Sequence, residues 1–271
     1  DKEYETVLTE KQLEKWLEKI DKADLTAIDT ETTSLDVMNA KLVGISLSIE
    51  PGHAAYIPLA HHSMEQSEQL PLQSVLDKLK PWLENPKKHK VGQNLKYDSH
   101  VLANYGIRLQ GIVHDTLLES YVLESHRRHD MDSLSERFLD YKPVSYTDIC
   151  GKGASQIGFD EIAIDVATHY AAEDADVTLQ LHQSMWPRLK ENDGLRFIYE
   201  KIEIPTSIVL QKMERNGVLI DVDKLNVQSR ELGVKMDSLQ ENAYVTAGQP
   251  FNLNSPKQLG ELLFDKLKLP M

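Results

Sequence analysis

Three runs near the start of the chain constrain its fold more than any other feature. "DLTAIDTE", "AKLVGISLSIE" and "HAAYIPLAH" are strand-like in composition, and short linkers, among them the turn signal "EPGH", separate them. Successive strands with tight connections predict an antiparallel meander. A helix is expected over "LPLQSVLDKLKPWLEN", stopped at Asn85-Pro86, then a short strand in "KKHKVGQN" read as a solvated edge. "LKYDSHVLANYG" reads as a helix ended by Gly106, and "IVHDTLLESYVLES" as strand into helix with Asp115 as its cap. The result is an α/β layer, a mixed sheet flanked by helices. From Phe159 onward helices dominate, the longest over about Ile162 to Lys190. A boundary is placed near Asn192 to Gly194, giving domains 1–192 and 193–271, the second all-helical.

Bulk properties exclude several classes. With 41% hydrophobic and 27% charged residues the composition is that of an ordinary globular protein. No apolar run reaches 18 residues, so no membrane span or membrane partner is expected. The charged start "DKEYETVLTEKQLEKW" is not a signal peptide. The single cysteine, Cys150, has neither a disulfide partner nor a Cys-His motif around it, which points to a reducing compartment, the cytoplasm. A net charge of −13 argues against a broad basic DNA surface. It leaves open a cleft that takes a short segment of nucleic acid with the help of metal ions.

Three groups of acids carry the functional argument. In "LTAIDTETTSL", side chains alternate faces, so Asp29 and Glu31 share a face about 6.5–7 Å apart, beyond Leu25 and Ala27. Two such carboxylates repel unless a cation lies between them, and hard oxygen donors suit Mg²⁺ or Mn²⁺. A strand end meeting solvent is the plain alternative. In "VATHYAAEDADVTLQLHQSM", about 100° per residue gathers Val166, Tyr170, Val177, Leu181 and Met185 into one buried arc. Asp174 falls inside that arc, Glu173 at its edge, and Asp176 points away. A buried carboxylate needs a basic partner, a raised pKa or a metal. In "VGQNLKYDSHVL", Asp98 follows Gln93 and Asn94 at a strand-to-helix junction, where Asn94 or Asp98 can equally serve as a cap or first-turn acid. Asp115 and Asp132 read as helix caps, and neither they nor Asp130 and Asp176 are assigned to the site.

Taken in order, "DTE", "NLKYD" and "YAAED" resemble the DnaQ-like 3′→5′ exonucleases, which have a ribonuclease H-like fold. More closely, "VGQNLKYD", "ANYGI", "RHDMDSLSER" and "YAAEDADVTLQLH" resemble the proofreading domain of bacterial family A polymerases. "MERNGVLID" and "FNLNSPKQLGELLF" resemble the opening helices of the polymerase domain that follows it, a tail that ribonuclease D-type relatives lack. The resemblance implies four metal-binding acids, Asp29, Glu31, Asp98 and Asp174, and a catalytic tyrosine, Tyr170, four residues before the last. It implies two divalent ions, Mg²⁺ first, with Mn²⁺ or Zn²⁺ as alternatives. One would be held by Asp29, Glu31 and Asp174. The other would be held by Asp29, with Asp98 acting through water or at longer range. Such a pair, about 3.5–4 Å apart, activates water and stabilises the leaving oxygen. With an ordinary pKa of about 10, Tyr170 suits orienting the water better than acting as a base.

The resemblance also implies that Leu35 wedges between the last two bases; an ordinary core leucine is the alternative. Gln93, Asn94 and Tyr97 are candidate substrate contacts, and Phe159 and Arg128 weaker candidates for stacking and phosphate contact. The implied partners are a single-stranded DNA 3′ end and the rest of a polymerase chain in a bacterial cytoplasm, with the molecule a monomer. The polymerising residues would lie beyond Met271. Two other functions remain at this point: a silent exonuclease fold kept for docking, against which the intact acids and Tyr170 weigh, and an RNA-directed exonuclease with the same chemistry.

Overall fold

The computed structural model describes residues 2–62 and 69–270. They form two compact units, Asp1–Asn216 and Gly217–Met271. The first unit runs β1 (Glu3–Thr6), α1 (Glu10–Lys22), β2 (Leu25–Thr32), β3 (Leu42–Glu50), β4 (His53–Pro58), α2 (Leu72–Leu83), β5 (His89–Gly92), α3 (Leu95–Ala103), β6 (Ile112–Asp115), α4 (Thr116–Glu124), α5 (Met131–Leu139), α6 (Tyr146–Cys150) and α7 (Ile164–Lys190), then α8 (Asp193–Ile198) and α9 (Ile204–Asn216).

The six strands form one mixed sheet in the order β1-β4-β3-β2-β5-β6. The expected meander is present: β2, β3 and β4 pair antiparallel in succession. The other pairings, β1 with β4, β2 with β5 and β5 with β6, are parallel. One face is covered by α1, α2 and α3. Leu13, Trp16, Leu76, Leu79 and Val101 pack there on Ile28, Ile45, Leu47 and Ile57. Each fully buried side chain of this kind contributes about 1.5–3 kcal/mol. β1 and α1 have no counterpart in the sequence reading. Their signals are a Thr9–Gln12 capping box and the buried Leu13, Trp16 and Ile20 of α1.

The other face is covered by α7, about 40 Å long at 27 residues. Ala167, Ala171, Ala172 and Ala175 are buried along it, small enough for a helix to lie close to a sheet. Its burial is not confined to one arc. Val177, Leu181 and Met185 pack with Leu134 of α5 as expected, whereas Val166 is exposed. Glu173 and Asp176, read as edge and outward positions, are buried and satisfied. Glu173 takes Lys2 at 3.0 Å and the Val144 N–H at 2.7 Å. Asp176 accepts from the Tyr4 hydroxyl and the Gly52 N–H, each at 2.8 Å. A helix covered by a sheet and by α4 and α5 has no single polar side.

Two smaller expectations change in the structure. The cap of α5 is Asp130, which accepts from Ser133 N–H at 3.1 Å; Asp132 lies in the first turn. Lys90 of the "KKHK" strand is not solvated but fully buried, its ammonium donating to the carbonyls of Trp82 and Lys88 at 2.8 Å. The compact units of the fold divide at Asn216/Gly217. A π-helical turn, Tyr199–Glu203, joins α8 to α9 and buries Tyr199 completely. α9 is then tied to α3 through Glu214 with His100 at 2.8 Å and Arg215 with Asn104 at 2.7 Å.

The second unit is helical, as expected: α10 (Val222–Ala247), capped by Asp221, and α11 (Pro256–Gly260), capped by Ser255.

Candidate active site

β2 delivers two of the acids. Leu25 and Ala27 pack on the α7 side with Leu179, while Ile28 belongs to the opposite core. The alternation carries Asp29 and Glu31 to the α7 face. A register irregularity between Glu31 and Thr32 re-aims the strand at the acids. Opposite Glu31 in the register is Gly44 of β3. A Cβ there would lie 2.1 Å from the Tyr56 hydroxyl, so only glycine lets that ring pass beside Glu31.

α7 supplies Asp174 and, one turn earlier, Tyr170. Ligand oxygens of Asp29, Glu31 and Asp174 lie within 4.8 Å of one another. Asp98, at the start of α3, is not in that cluster. It is buried, and one carboxylate oxygen accepts from the Thr30 N–H at 3.0 Å and the Thr30 hydroxyl at 2.6 Å. Thr30 points to the face opposite Asp29, so Asp98 is anchored from behind the strand. The sequence reading missed this role of Thr30; its place between the two acids is the only signal it carries.

Electrostatics identify the cluster as an unneutralised one. Burial, and then the charge of Asp174, pushes Asp29 up to about 8. Burial likewise lifts Asp174 to about 8, against the opposing hydrogen bond of the Tyr170 hydroxyl. Glu31 and Asp98 are driven well above the carboxylate range by burial, with Asp29 the foremost neighbouring charge for each. Every charge perturbing these four groups is another carboxylate. The Oε1 atom of Glu31 is buried with no partner. Orphaned, mutually repelling oxygens are what a hard divalent cation would satisfy. Tyr170 is raised far beyond the usual phenol range by burial and by Asp174, Glu31 and Asp29, so it stays protonated.

The remaining candidates divide. Leu35 is no core leucine: it is 91% exposed, just past the end of β2. The Tyr97 hydroxyl donates to the Ser34 carbonyl at 2.7 Å and contacts the Thr32 hydroxyl, so Tyr97 holds the segment carrying Leu35. Gln93 is engaged within the fold, donating to the His129 carbonyl at 2.9 Å and accepting from Thr116. Asn94 is exposed with left-handed backbone (φ 65°), and its side chain caps nothing. The cap expected of it comes from Asp115, whose carboxylate accepts from the N–H groups of Asn94 and Leu95 and from Leu117 of α4. Phe159, expected to stack on substrate, is 1% exposed and packs 5.7 Å from the Tyr170 ring, so it has no free face for a base. Arg128 faces solvent, paired with Asp130 at 3.0 Å.

Comparison with known proteins gives the family. Residues 4–190 match the family model described as 3'-5' exonuclease. The chain belongs to the 3′–5′ exonuclease family. Exonuclease domains of this family use divalent metals, in keeping with the acidic cluster. Beyond the exonuclease part, residues 222–271 match the model of DNA polymerase family A. DNA polymerase I of Pseudomonas aeruginosa is 53% identical over 99% of this chain and 30% of its own length. That of Rhizobium leguminosarum is 43% identical over 98% of this chain and 28% of its own. The chain thus spans less than a third of these relatives. The POL domain of Pol1 from M. smegmatis, in complex with DNA primer-template and dNTP, has the same fold: TM-score 0.75 at 24% identity, over 98% of this chain and 41% of that one. No helix among the described residues is long and apolar enough to cross a membrane.

Proposed function

We propose that this exonuclease removes nucleotides from the 3′ end of single-stranded DNA, as the proofreading part of a bacterial DNA polymerase I. The observation that carries the reading is the triad of half-buried Asp29, buried Glu31 and half-buried Asp174, with an orphaned Glu31 oxygen and no basic neighbour among its perturbing charges. Asp29, Glu31 and Asp174 would hold one divalent ion, and Asp29 a second, with Asp98 acting at longer range. Mg²⁺ is the first choice, and Mn²⁺ or Zn²⁺ are substitutes. When bound, the ions supply a nucleophilic water near neutral pH and relieve charge on the scissile phosphate.

The chain's own groups do the rest. Tyr170, protonated and beside Asp174, orients the attacking water by hydrogen bond and does not take its proton. Thr30 keeps Asp98 in place behind the strand. Leu35 offers an exposed apolar edge next to the acids on which the terminal bases can be parted. Asn94 lies exposed at the start of α3, free to contact the strand. The remainder of the polymerase chain, a monomeric state and a bacterial cytoplasm complete the reading.

The test is the purified chain with a 5′-labelled DNA strand and either Mg²⁺ or Mn²⁺. The expected result is stepwise shortening from the 3′ end, releasing nucleoside monophosphates. Asp98→Ala and Asp174→Ala should each lower the rate by at least about 10²-fold without unfolding the domain. A strand left intact with both metals, as a silent docking domain would leave it, overturns the reading. Equal hydrolysis of an RNA strand of the same sequence overturns the choice of substrate.

A further inference from the structure

About two turns further along α7 from Asp174, three groups meet that the exonuclease chemistry does not use. His114 comes from β6, Glu119 from α4 and His182 from α7. One potential ligand atom from each lies within 4.8 Å of the others. The His182 Nδ1 is 2.7 Å, and the His114 Nδ1 3.3 Å, from the same Glu119 oxygen. The two imidazole rings lie 4.0 Å apart between centroids, and Trp186 closes over them at 4.6 Å from His114.

Glu119 is completely buried, its Oε2 has no partner, and the His114 Nδ1 also lacks one with hydrogen-bond geometry. A fully buried carboxylate with one idle oxygen, its other oxygen beside an imidazole nitrogen that has no partner, is a donor set a cation would satisfy. We propose that His114, Glu119 and His182 form a second metal site, built for a transition-metal ion such as Zn²⁺ and separate from the catalytic acids.

The donor set decides the class of ion. Two imidazoles and one carboxylate suit Zn²⁺ or its neighbours, whereas Mg²⁺ and Ca²⁺ prefer all-oxygen shells. Bonds of 2.0–2.1 Å in a tetrahedron put ligand atoms about 3.3 Å apart. The His114–Glu119 separation of 3.3 Å has that value already, and the 2.7 Å contact of His182 must open slightly. Burial lowers the His114 pKa, which favours the neutral imidazole a metal needs. The Tyr199 hydroxyl, 3.4 Å from the same Glu119 oxygen, accepts from the Asp115 N–H at 2.8 Å, so it is placed to donate to the ligating carboxylate. His114 is the way in: its side chain is 16% exposed, against 7% for His182 and none for Glu119. A metal there would staple β6, α4 and α7 beside the π-helical turn of Tyr199.

The catalytic acids also attract divalent ions, so the experiment removes them from the count. Zn²⁺ alone is titrated into the chelator-stripped full chain carrying Asp29→Ala and Asp174→Ala, and into the same chain with His114→Phe added. The first should bind one Zn²⁺ and gain about 5–10 °C in Tm at a hundredfold excess over Kd; the second should do neither. Co²⁺ in place of Zn²⁺ should give the intense visible bands of a four-coordinate ion only when His114 is present. Equal Zn²⁺ binding with and without His114 overturns the proposal, as does no binding to either. If His114→Phe does not fold, X-ray absorption on the His114-containing chain decides: imidazole scattering around the Zn²⁺ supports the site, and an all-oxygen shell refutes it.

Discussion

Asp29 and Glu31 lie one residue apart because a strand returns to the same face every second residue, and Asp174 reaches them from a helix laid over that face. Single side chains around them set the geometry. Thr30 occupies one oxygen of Asp98, and Tyr97 braces the segment bearing Leu35 through the Ser34 carbonyl. Removing that brace should loosen the wedge and leave the acids untouched. Tyr97→Phe is therefore expected to lower kcat/KM on single-stranded DNA about tenfold, with a loss of only about 1 kcal/mol in stability. Steady-state kinetics beside thermal denaturation would check it; unchanged kinetics would remove Tyr97 from the site. Leu35, Tyr170 and the acids were legible as residue types in order. Phe159 was not, because whether an aromatic ring is buried or offered to a ligand depends on partners far along the chain, here Tyr56 and Tyr170.

At the scale of elements, β3 shows how one absent side chain can position a site. Gly44 stands opposite Glu31, and the Tyr56 ring fills the space a Cβ would need. Gly44→Val would force Tyr56 off its hydrogen bond with His61, 2.8 Å long. It should cost about 1–3 kcal/mol of stability by overpacking and should displace Glu31, lowering activity as well. Chemical denaturation with the nuclease assay tests both; a stable, active variant would show that the ring moves freely. α7 marks the limit of helical-wheel reading. Its arc holds at Val177, Leu181 and Met185, but Glu173 and Asp176 are also buried, and each takes at least one partner more than a hundred residues away in sequence. Periodicity reports which face is apolar; it cannot report that a polar face will meet Lys2, Tyr4 and Gly52.

For the whole molecule, the acidic cluster couples metal binding, pH and stability. Asp29 and Asp174 stand at about 8 in the folded protein, whereas an unfolded aspartate titrates near 3.9. Between those values the folded state holds more protons than the unfolded one, so stability falls as pH rises from about 4 to 8. The chelator-treated chain should therefore lose at least about 5 °C in Tm between pH 5 and pH 8, and Mg²⁺ or Mn²⁺ at pH 8 should restore it. Scanning calorimetry at both pH values, with and without metal, measures this. A Tm that rises toward pH 8 in chelator would mean that these carboxylates are neutralised by protein groups instead.

What local sequence determined is what depends on neighbours within a few residues. The strand alternation that pairs Asp29 with Glu31, the caps at Thr9 and Asp115, the meander and the 27-residue helix all follow from near-range sterics and hydrogen bonding. The order of the acids and Tyr170 then pointed to the exonuclease family. Tertiary structure alone decided which polar groups are buried and what satisfies them. Lys90 in its cage of carbonyls, Tyr199 extending the first unit to Asn216, and His114 meeting His182 across β6 and α7 each join residues that only the packed chain brings together. Burial is a property of the whole packing, and it sets the charge state of every acid in the site.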